Sequence, residues 1–555
     1  MNTVSVTANG FVPSDSSSLY EIVSEAARRD PARHSLCAVD GTQLTTGDLD
    51  TRVRALASAL LDRAVAAGDR VAVLGRTSLE WALLDCAAVA IGAVIVPVYP
   101  TSSPAQIEHI LRDSGSRFFA AETADDAVRL TSAGADGEVW SFDELGAWST
   151  RGAEHPELNA RLAAVGAGDL AMIVYTSGTT GLAKGCMISH RNMYVTAANT
   201  ARQTGTLFDG TTALALPLSH VFGQTILFAC LYGGSRTHLL PGVPDLVPAL
   251  SRLRPTFLAL VPYALEKIRK HTRALLTEEQ EAAAVDRGLA VLAEGAAPTP
   301  ADDAVAAAFG GQLRHVISGG ASLDDTTAGF YAGVGVVILN CYGLTEAATA
   351  VTVSAPETNR LGTVGRPIPG TEVGIGDDGE VLVRGPHVSP GYWGAAADQR
   401  PVDAEGWLHT GDIGELDDGH LRITGRKKEI LVTSGGKNVA PTLLEDRIRL
   451  HPLVSNCMVV GDGRPFVTAL VTLDADRAAK WQIDHPDTDP ATEIQAAVDD
   501  ANSLVSRAES IRAFRVVDGD FTVDAGLLTS SLKLRRAAIA DTYSADINQL
   551  YVSRG

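Results

Sequence analysis

Apolar positions between residues 44 and 122 follow two alternating rhythms. Stretches with an apolar residue every three or four positions alternate with short runs of consecutive β-branched residues. The first rhythm is that of a packed helix, the second that of a strand covered on both faces. The spacing predicts helices over 46–67 (opening at Thr45 or Thr46), 79–91 and 104–114, with strands over 70–74, 94–98 and 117–121. Such strict alternation implies parallel strands joined by crossover helices, hence a layered α/β domain. Strands near 170–175, 213–216 and 256–261 continue the theme, and the Ala/Glu-rich stretch 277–307 reads as helix with a solvated face.

After about Gly362 the texture changes to short strands separated by Gly and Asp turns, at 372–375, 379–384 and 420–424. This predicts a small β subdomain. Beyond Lys428 the pattern is mixed α+β, with a helix near 442–450 and strands near 457–460 and 468–473. A single cut at 427/428 therefore divides a large N-terminal domain, 1–427, from a smaller C-terminal one, 428–555.

Composition narrows the function. The 555 residues carry 46 basic and 66 acidic side chains, a net charge of −20. That balance argues against nucleic acid as the main partner, because phosphate backbones are bound by clustered Lys and Arg. Six scattered cysteines without a C-x-x-C pair give neither a zinc site nor a disulfide framework and suit a reducing cytoplasmic setting. Residues 1–18 lack a basic segment followed by an apolar one, so no signal peptide is read. With no run of about 18 apolar residues, no integral membrane association is expected.

The most informative stretch is Tyr175-Thr-Ser-Gly-Thr-Thr-Gly-Leu-Ala-Lys-Gly185. Its small residues let backbone N–H groups converge on an anion while hydroxyls and Lys184 add donors. On composition alone an ordinary Gly/Ser/Thr turn is an equal reading. It is not a P-loop, because Ala183 stands where that motif needs its second Gly. There is no nucleophile elbow, no H-E-x-x-H and no clear G-x-G-x-x-G after a strand, so hydrolase, zinc and dinucleotide readings lack support.

Seven further segments follow in order: Leu216-Pro-Leu-Ser-His-Val-Phe-Gly223, Ser318-Gly-Gly-Ala321, Tyr342-Gly-Leu-Thr-Glu346, Trp407-Leu-His-Thr-Gly-Asp412, Gly425-Arg-Lys-Lys-Glu-Ile430, Ser434-Gly-Gly-Lys-Asn438 and Leu528-Thr-Ser-Ser-Leu-Lys533. Together with the Tyr175–Gly185 segment, this set resembles the adenylate-forming (AMP-binding) superfamily from about Leu44 to the C-terminus. Gly-Gly-Lys-Asn-Val-Ala-Pro at 435–441 is most similar to its long-chain fatty acyl-CoA synthetase branch. The resemblance implies a large α/β domain hinged to a C-terminal lid. It also implies ATP, Mg2+ and coenzyme A as cofactors and a hydrophobic carboxylic acid, a medium- or long-chain fatty acid first, as substrate.

It further implies roles for residues. Thr176, Ser177, Gly178, Thr179, Thr180, Gly181 and Lys184 would hold the β- and γ-phosphates. Glu346, with Thr176, would serve the Mg2+, and Thr345 would donate to the α-phosphate. Tyr342 and Gly343 would pack near adenine and the acyl pocket, with Gly319, Gly320 and Ala321 approaching the base. Asp412 would accept from the ribose hydroxyls, Arg426 would contact ribose or phosphate, and Lys428 would mark the hinge. Gly435 and Gly436 would approach the thiol. Lys533 would neutralise the α-phosphate and carboxylate during adenylation; standing alone it reads as a surface lysine in a basic tail. His220 and Phe222 would line the acyl and thiol channel, although a lone His at such a place also reads as a satisfied core residue. Val261 and Cys341 would lie near the acyl group, and Trp407 and His409 would support the nucleotide loop. Ser530 and Ala183 stand where relatives usually carry Pro.

The expected reaction is adenylation, pyrophosphate release, lid rotation and thiol attack. Transfer to a carrier protein is the first rival, with a luciferase-like oxygenase and a non-catalytic nucleotide-binding scaffold behind it. Oligomeric state is left open by the sequence.

Overall fold

The computed structural model describes residues 3–6, 10–152, 154–176, 183–272, 275–294, 303–399, 401–529 and 533–552. Two compact units emerge. The first comprises residues 1–321, 325–410 and 416–422, and the second residues 322–324, 411–415 and 423–555.

At the centre of the first unit is a six-stranded sheet in the order Val139–Ser141, Phe118–Ala121, Arg70–Leu74, Val94–Val98, Leu170–Thr176, Lys184–Ser189. All neighbours are parallel except the last pair, which forms an antiparallel hairpin. Val71, Val73, Ile95 and Val96 are fully buried, as expected of strands sandwiched between helical layers. Thr45 caps the helix Thr46–Asp62 through a reciprocal capping box with Asp48, and Ser78 caps Leu79–Ala90. Both helices start where the spacing places them. The first ends five residues earlier than expected, because Ala64 adopts a left-handed conformation (φ 59°) and turns the chain towards the next strand.

A second sheet runs Phe257–Leu260, His315–Ser318, Val337–Leu344, Thr349–Val353, Arg366–Pro367. Its first three strands are parallel and the rest antiparallel. A four-stranded sheet joins Thr211–Leu214, Arg236–Leu239, His34–Cys37 and Gln43–Thr45. The short strands after Gly362 build a five-stranded sheet in the order Thr3–Val6, Glu372–Ile375, Glu380–Arg384, Leu408–Asp417, His420–Arg426.

The 277–307 stretch is helical over Glu278–Glu294 and again over Asp303–Ala308. Its first helix keeps a solvated face, with Glu278, Glu279 and Asp286 exposed, and buries Ala284 and Gly288 on the other. A Cβ on Gly288 would lie 1.8 Å from the carbonyl of Gly329, and one on Gly333 would lie 1.9 Å from that of Ala284. Small residues therefore let this helix touch the backbone of Asp325–Gly333. Gly288→Ala gains about 1 kcal/mol of helix propensity, but the clash is with backbone and cannot be relieved by a rotamer. A net loss of about 1–3 kcal/mol is expected, read as a lowered urea midpoint; an unchanged midpoint would mean that the helices can part.

The second unit is built on Val454–Val460, Thr468–Leu473 and Phe514–Val516, covered by the helices Pro441–Arg449 and Pro490–Ser503 around a core that includes Leu444, Val471 and Ile494.

Candidate active site

The hairpin at the edge of the six-stranded sheet places Thr176 directly opposite Lys184. Ser177, Gly178, Thr179, Thr180 and Gly181 lie outside the described residues. Lys184 Nζ donates to Gln399 Oε1 at 2.5 Å and stands 5.3 Å from the centre of the Tyr392 ring.

Glu346 reaches the same tyrosine from another direction. The strand Val337–Leu344 ends in a single 3-10 turn, Thr345–Ala347. Gly343 packs so closely there that a Cβ would fall 1.3 Å from the carbonyl oxygen of Thr349. Tyr392 Oη donates to Glu346 Oε1 at 2.6 Å. Burial, then the Glu346 charge, pushes the Tyr392 hydroxyl well above its usual pKa, so it remains a proton donor. Thr345 is buried beside Glu346.

Among the described residues no group of three or more His, Cys, Asp or Glu could hold a metal alone. One carboxylate with neighbouring hydroxyls suits Mg2+, which is bound through one or two carboxylates, water and substrate phosphates. The residues present fit that ion.

Gly319, Gly320 and Ala321 leave the C-terminal end of the strand His315–Ser318. That strand is parallel to Val337–Leu344, with Ser318 opposite Asn340. Ligands of open α/β sheets bind at such strand ends. Gly319 is required by close approach, since a Cβ would lie 2.4 Å from Cys341 Sγ. Gly320 and Ala321 are exposed, Tyr342 is half-buried, and the buried Ser318 Oγ has no hydrogen-bond partner among the described residues. Burial pushes the Cys341 thiol up to about 12, so it is not a ready nucleophile.

His220 is the N-cap of the helix Val221–Gly233, with Nδ1 accepting from the Phe222 N–H at 3.0 Å. A neutral ring in this bond carries its proton on Nε2. Its loop is braced by Thr77, whose hydroxyl donates to the Leu216 carbonyl and accepts from the Leu218 N–H. Gln224 Nε2 donates to the Leu218 carbonyl. The structure thus gives His220 a capping role that the isolated residue did not announce. Phe222 is buried, and Val261 is half-buried.

In the second unit Asp412, 5% exposed, accepts from Arg426 Nε at 2.7 Å. Lys428 is exposed in the turn after the strand His420–Arg426. Gly435 and Gly436 form an exposed turn between Leu431–Val432 and Asn438–Val439. Gly436 has φ 77°, and the Thr433 hydroxyl accepts from the Lys437 N–H. Lys533 is exposed, and its backbone is clasped to Thr529: its N–H donates to Thr529 Oγ1 at 3.0 Å and its carbonyl accepts from the Thr529 N–H at 2.8 Å. Ser530 lies outside the described residues.

Elsewhere in the first unit, His409 is held between Glu380 and Asp403, Glu380 first among the groups that raise its pKa. Trp407 is buried.

Tyr392 was not singled out in the sequence. The one signal was an aromatic pair after glycine, Gly391-Tyr392-Trp393, and that pattern alone does not separate a core residue from a site residue.

Comparison with known proteins adds the following. Residues 23–393 match the family described as AMP-binding enzyme, and residues 428–555 match the AMP-binding enzyme C-terminal domain. The long-chain-fatty-acid–CoA ligases FadD15 of Mycobacterium bovis and of Mycobacterium tuberculosis are each 38% identical over 561 residues, covering 92% of this chain and 93% of their own. The fold is shared with o-succinylbenzoate CoA synthetase (MenE) from Bacillus subtilis, solved with an acyl-adenylate intermediate. That match has a TM-score of 0.73 at 23% identity, over 94% of this chain and 97% of that one.

Proposed function

This chain belongs to the AMP-binding enzyme family, and from that premise we propose that it is an ATP-dependent acyl-CoA synthetase acting on a medium- or long-chain fatty acid or another bulky hydrophobic carboxylic acid. One carboxylate oxygen attacks the α-phosphorus, the bond to the β-phosphate bridging oxygen breaks, and pyrophosphate leaves. The thiol sulfur of coenzyme A then attacks the acyl carbonyl, losing its proton, and AMP departs.

The observation that carries the reading is the meeting of Lys184 and Glu346 on Tyr392, beside the hairpin that bears the phosphate loop. A cation and a carboxylate that share one tyrosine, with no ion pair joining them among the described residues, are what a metal–triphosphate needs: the first meets phosphate oxygens, the second the metal. Glu346, with Thr176, would hold Mg2+, which when bound would supply positive charge against that of the departing pyrophosphate. Thr176 and residues 177–181 cradle the β- and γ-phosphates in this reading, and Thr345 donates to the α-phosphate. Gly319, Gly320, Ala321, Tyr342 and Gly343 form the adenine shelf. Asp412 and Arg426 take the ribose, and their existing pair presets the carboxylate. His220 orients the loop lining the acyl and thiol channel.

We place the domain division at 427/428, with Lys428 as the hinge, Lys533 serving adenylation and Gly435–Gly436 serving thiol attack. The full-length likeness to long-chain ligases supports the acyl class. No helix among the described residues is long and apolar enough to cross a membrane, and a cytoplasmic setting belongs to the same reading.

Pyrophosphate release with ATP and Mg2+, measured across carboxylic acids of graded chain length with and without coenzyme A, tests it. Release should depend on a long-chain acid, with acyl-CoA appearing only when coenzyme A is present. Release without acyl-CoA would shift the acceptor to a carrier protein, and silence across the panel would overturn the reading.

A further inference from the structure

Tyr392 sits on a short strap whose position does not depend on its side chain. The strap pairs with the edge strand Lys184–Ser189: the Met187 N–H donates to the Gly391 carbonyl at 3.0 Å, and the Trp393 N–H donates to the Gly185 carbonyl at 2.7 Å. Upstream, the Ser389 N–H donates to the backbone carbonyl of Glu346 at 2.8 Å, and the Ser389 hydroxyl donates to the Met187 carbonyl at 2.6 Å. Asn192 Nδ2 donates to the carbonyls of Pro386 and Val388. Downstream, the Trp393 indole donates to the Asp113 carbonyl at 3.1 Å. The backbone is thus tied on both sides of Tyr392, and the phenol is held out as a probe.

That phenol does two things at once. Its hydroxyl occupies Oε1 of Glu346, while Oε2 has no hydrogen-bond partner among the described residues. Its ring lies against Lys184 Nζ, which is drawn to Gln399. Among the described residues no ion pair joins Lys184 to Glu346, although both approach the same ring. A lysine and a glutamate that paired directly would gain Coulomb energy, but each would then be lost to a ligand that needs both.

We propose that Tyr392 is a positioning residue for adenylation: it fixes the Glu346 carboxylate with Oε2 turned to the Mg2+ site and keeps Glu346 from neutralising Lys184. The inference rests on the reading of Glu346 as the carboxylate that serves Mg2+. Tyr392→Phe removes the hydroxyl and keeps the ring; Glu346→Asp keeps the charge but withdraws it from the hydroxyl. The two variants break the same bond from opposite sides.

The test is ATP binding to the full chain by calorimetry at graded free Mg2+, with ATP–pyrophosphate exchange measured alongside. Tyr392→Phe should raise the Mg2+ concentration for half-maximal ATP binding about tenfold, the scale of one hydrogen bond to a charged group. Exchange should return towards the parent rate at saturating Mg2+. Glu346→Asp should shift the Mg2+ curve in the same direction, and the double variant should be no worse than the worse single one. A purely structural role for Tyr392 would lower thermal stability and exchange at every Mg2+ concentration, with no rescue, and that outcome would overturn the proposal. So would a Tyr392→Phe curve that overlays the parent while Glu346→Gln shifts it. If Glu346→Gln also leaves the Mg2+ dependence unchanged, the metal reading of Glu346 fails first and the inference falls with it.

Discussion

Replacing Lys533 by alanine is expected to slow adenylate formation by about 10²–10³-fold, the effect of removing one preorganised donor from a developing charge. Thioester formation from a supplied acyl-adenylate should stay within a few-fold of the parent. The asymmetry follows from the chemistry. Attack of a carboxylate on the α-phosphate brings two anions together, so the first half-reaction needs a cation there. Thiol attack on the mixed anhydride starts from a neutral acyl carbon and does not. Lys533 is exposed, and the two backbone bonds that clasp it to Thr529 do not involve its side chain. ATP–pyrophosphate exchange reports the first step and single-turnover thiolysis the second. Equal loss of both would contradict the assignment of Lys533 to adenylation alone.

A second large effect should come from a residue that touches no substrate. Glu445, 3% exposed, accepts from Arg536 Nη1 at 2.7 Å and Nη2 at 2.6 Å, and also from the Val459 N–H at 2.7 Å. Burial alone would lower the Arg536 pKa, but the Glu445 carboxylate outweighs it and holds the guanidinium charged. Glu445→Ala leaves a desolvated cation and an unpaired buried N–H, with an expected loss of roughly 3–5 kcal/mol. Urea unfolding followed by far-ultraviolet circular dichroism reads the change. Because the chain has two units, the midpoint of that transition is the proper measure and not one global free energy. A shift worth less than about 1 kcal/mol would mean that Arg536 finds another partner, with Glu429 the nearest at 3.8 Å. Exchanging both residues for apolar ones of similar volume should be far milder than either single change. Arg536 opens the helix that follows Lys533 by three residues, so Glu445→Ala should also blunt adenylation more than thiolysis.

Local order was legible along the chain wherever one residue's neighbours in sequence are also its neighbours in space. The helix starting at Thr46 follows from Thr45 and Asp48 three positions apart, and the strands Arg70–Leu74 and Val94–Val98 follow from uninterrupted apolar runs. Residue types and their order also carried the family and the chemistry, since a Gly/Ser/Thr loop ending in Lys184 and a Thr-Glu turn at 345–346 are local patterns. Three features were not legible. Ala64 in a left-handed conformation cut the first helix short, because no glycine marks the turn. Composition gave the Glu278–Glu294 helix its solvated face, but not the seam on its other side, which needs Gly329 and Gly333 from a distant helix.

Tyr392 is the clearest case. The sequence by itself determined that Lys184 and Glu346 would carry opposite charges and that an α/β frame would present them. Only the tertiary structure decided that a tyrosine from a third segment would touch both of them. A hydrogen bond of 2.6 Å and a ring contact depend on how three separate stretches of chain are brought together, and no pattern within any one of those stretches encodes that distance.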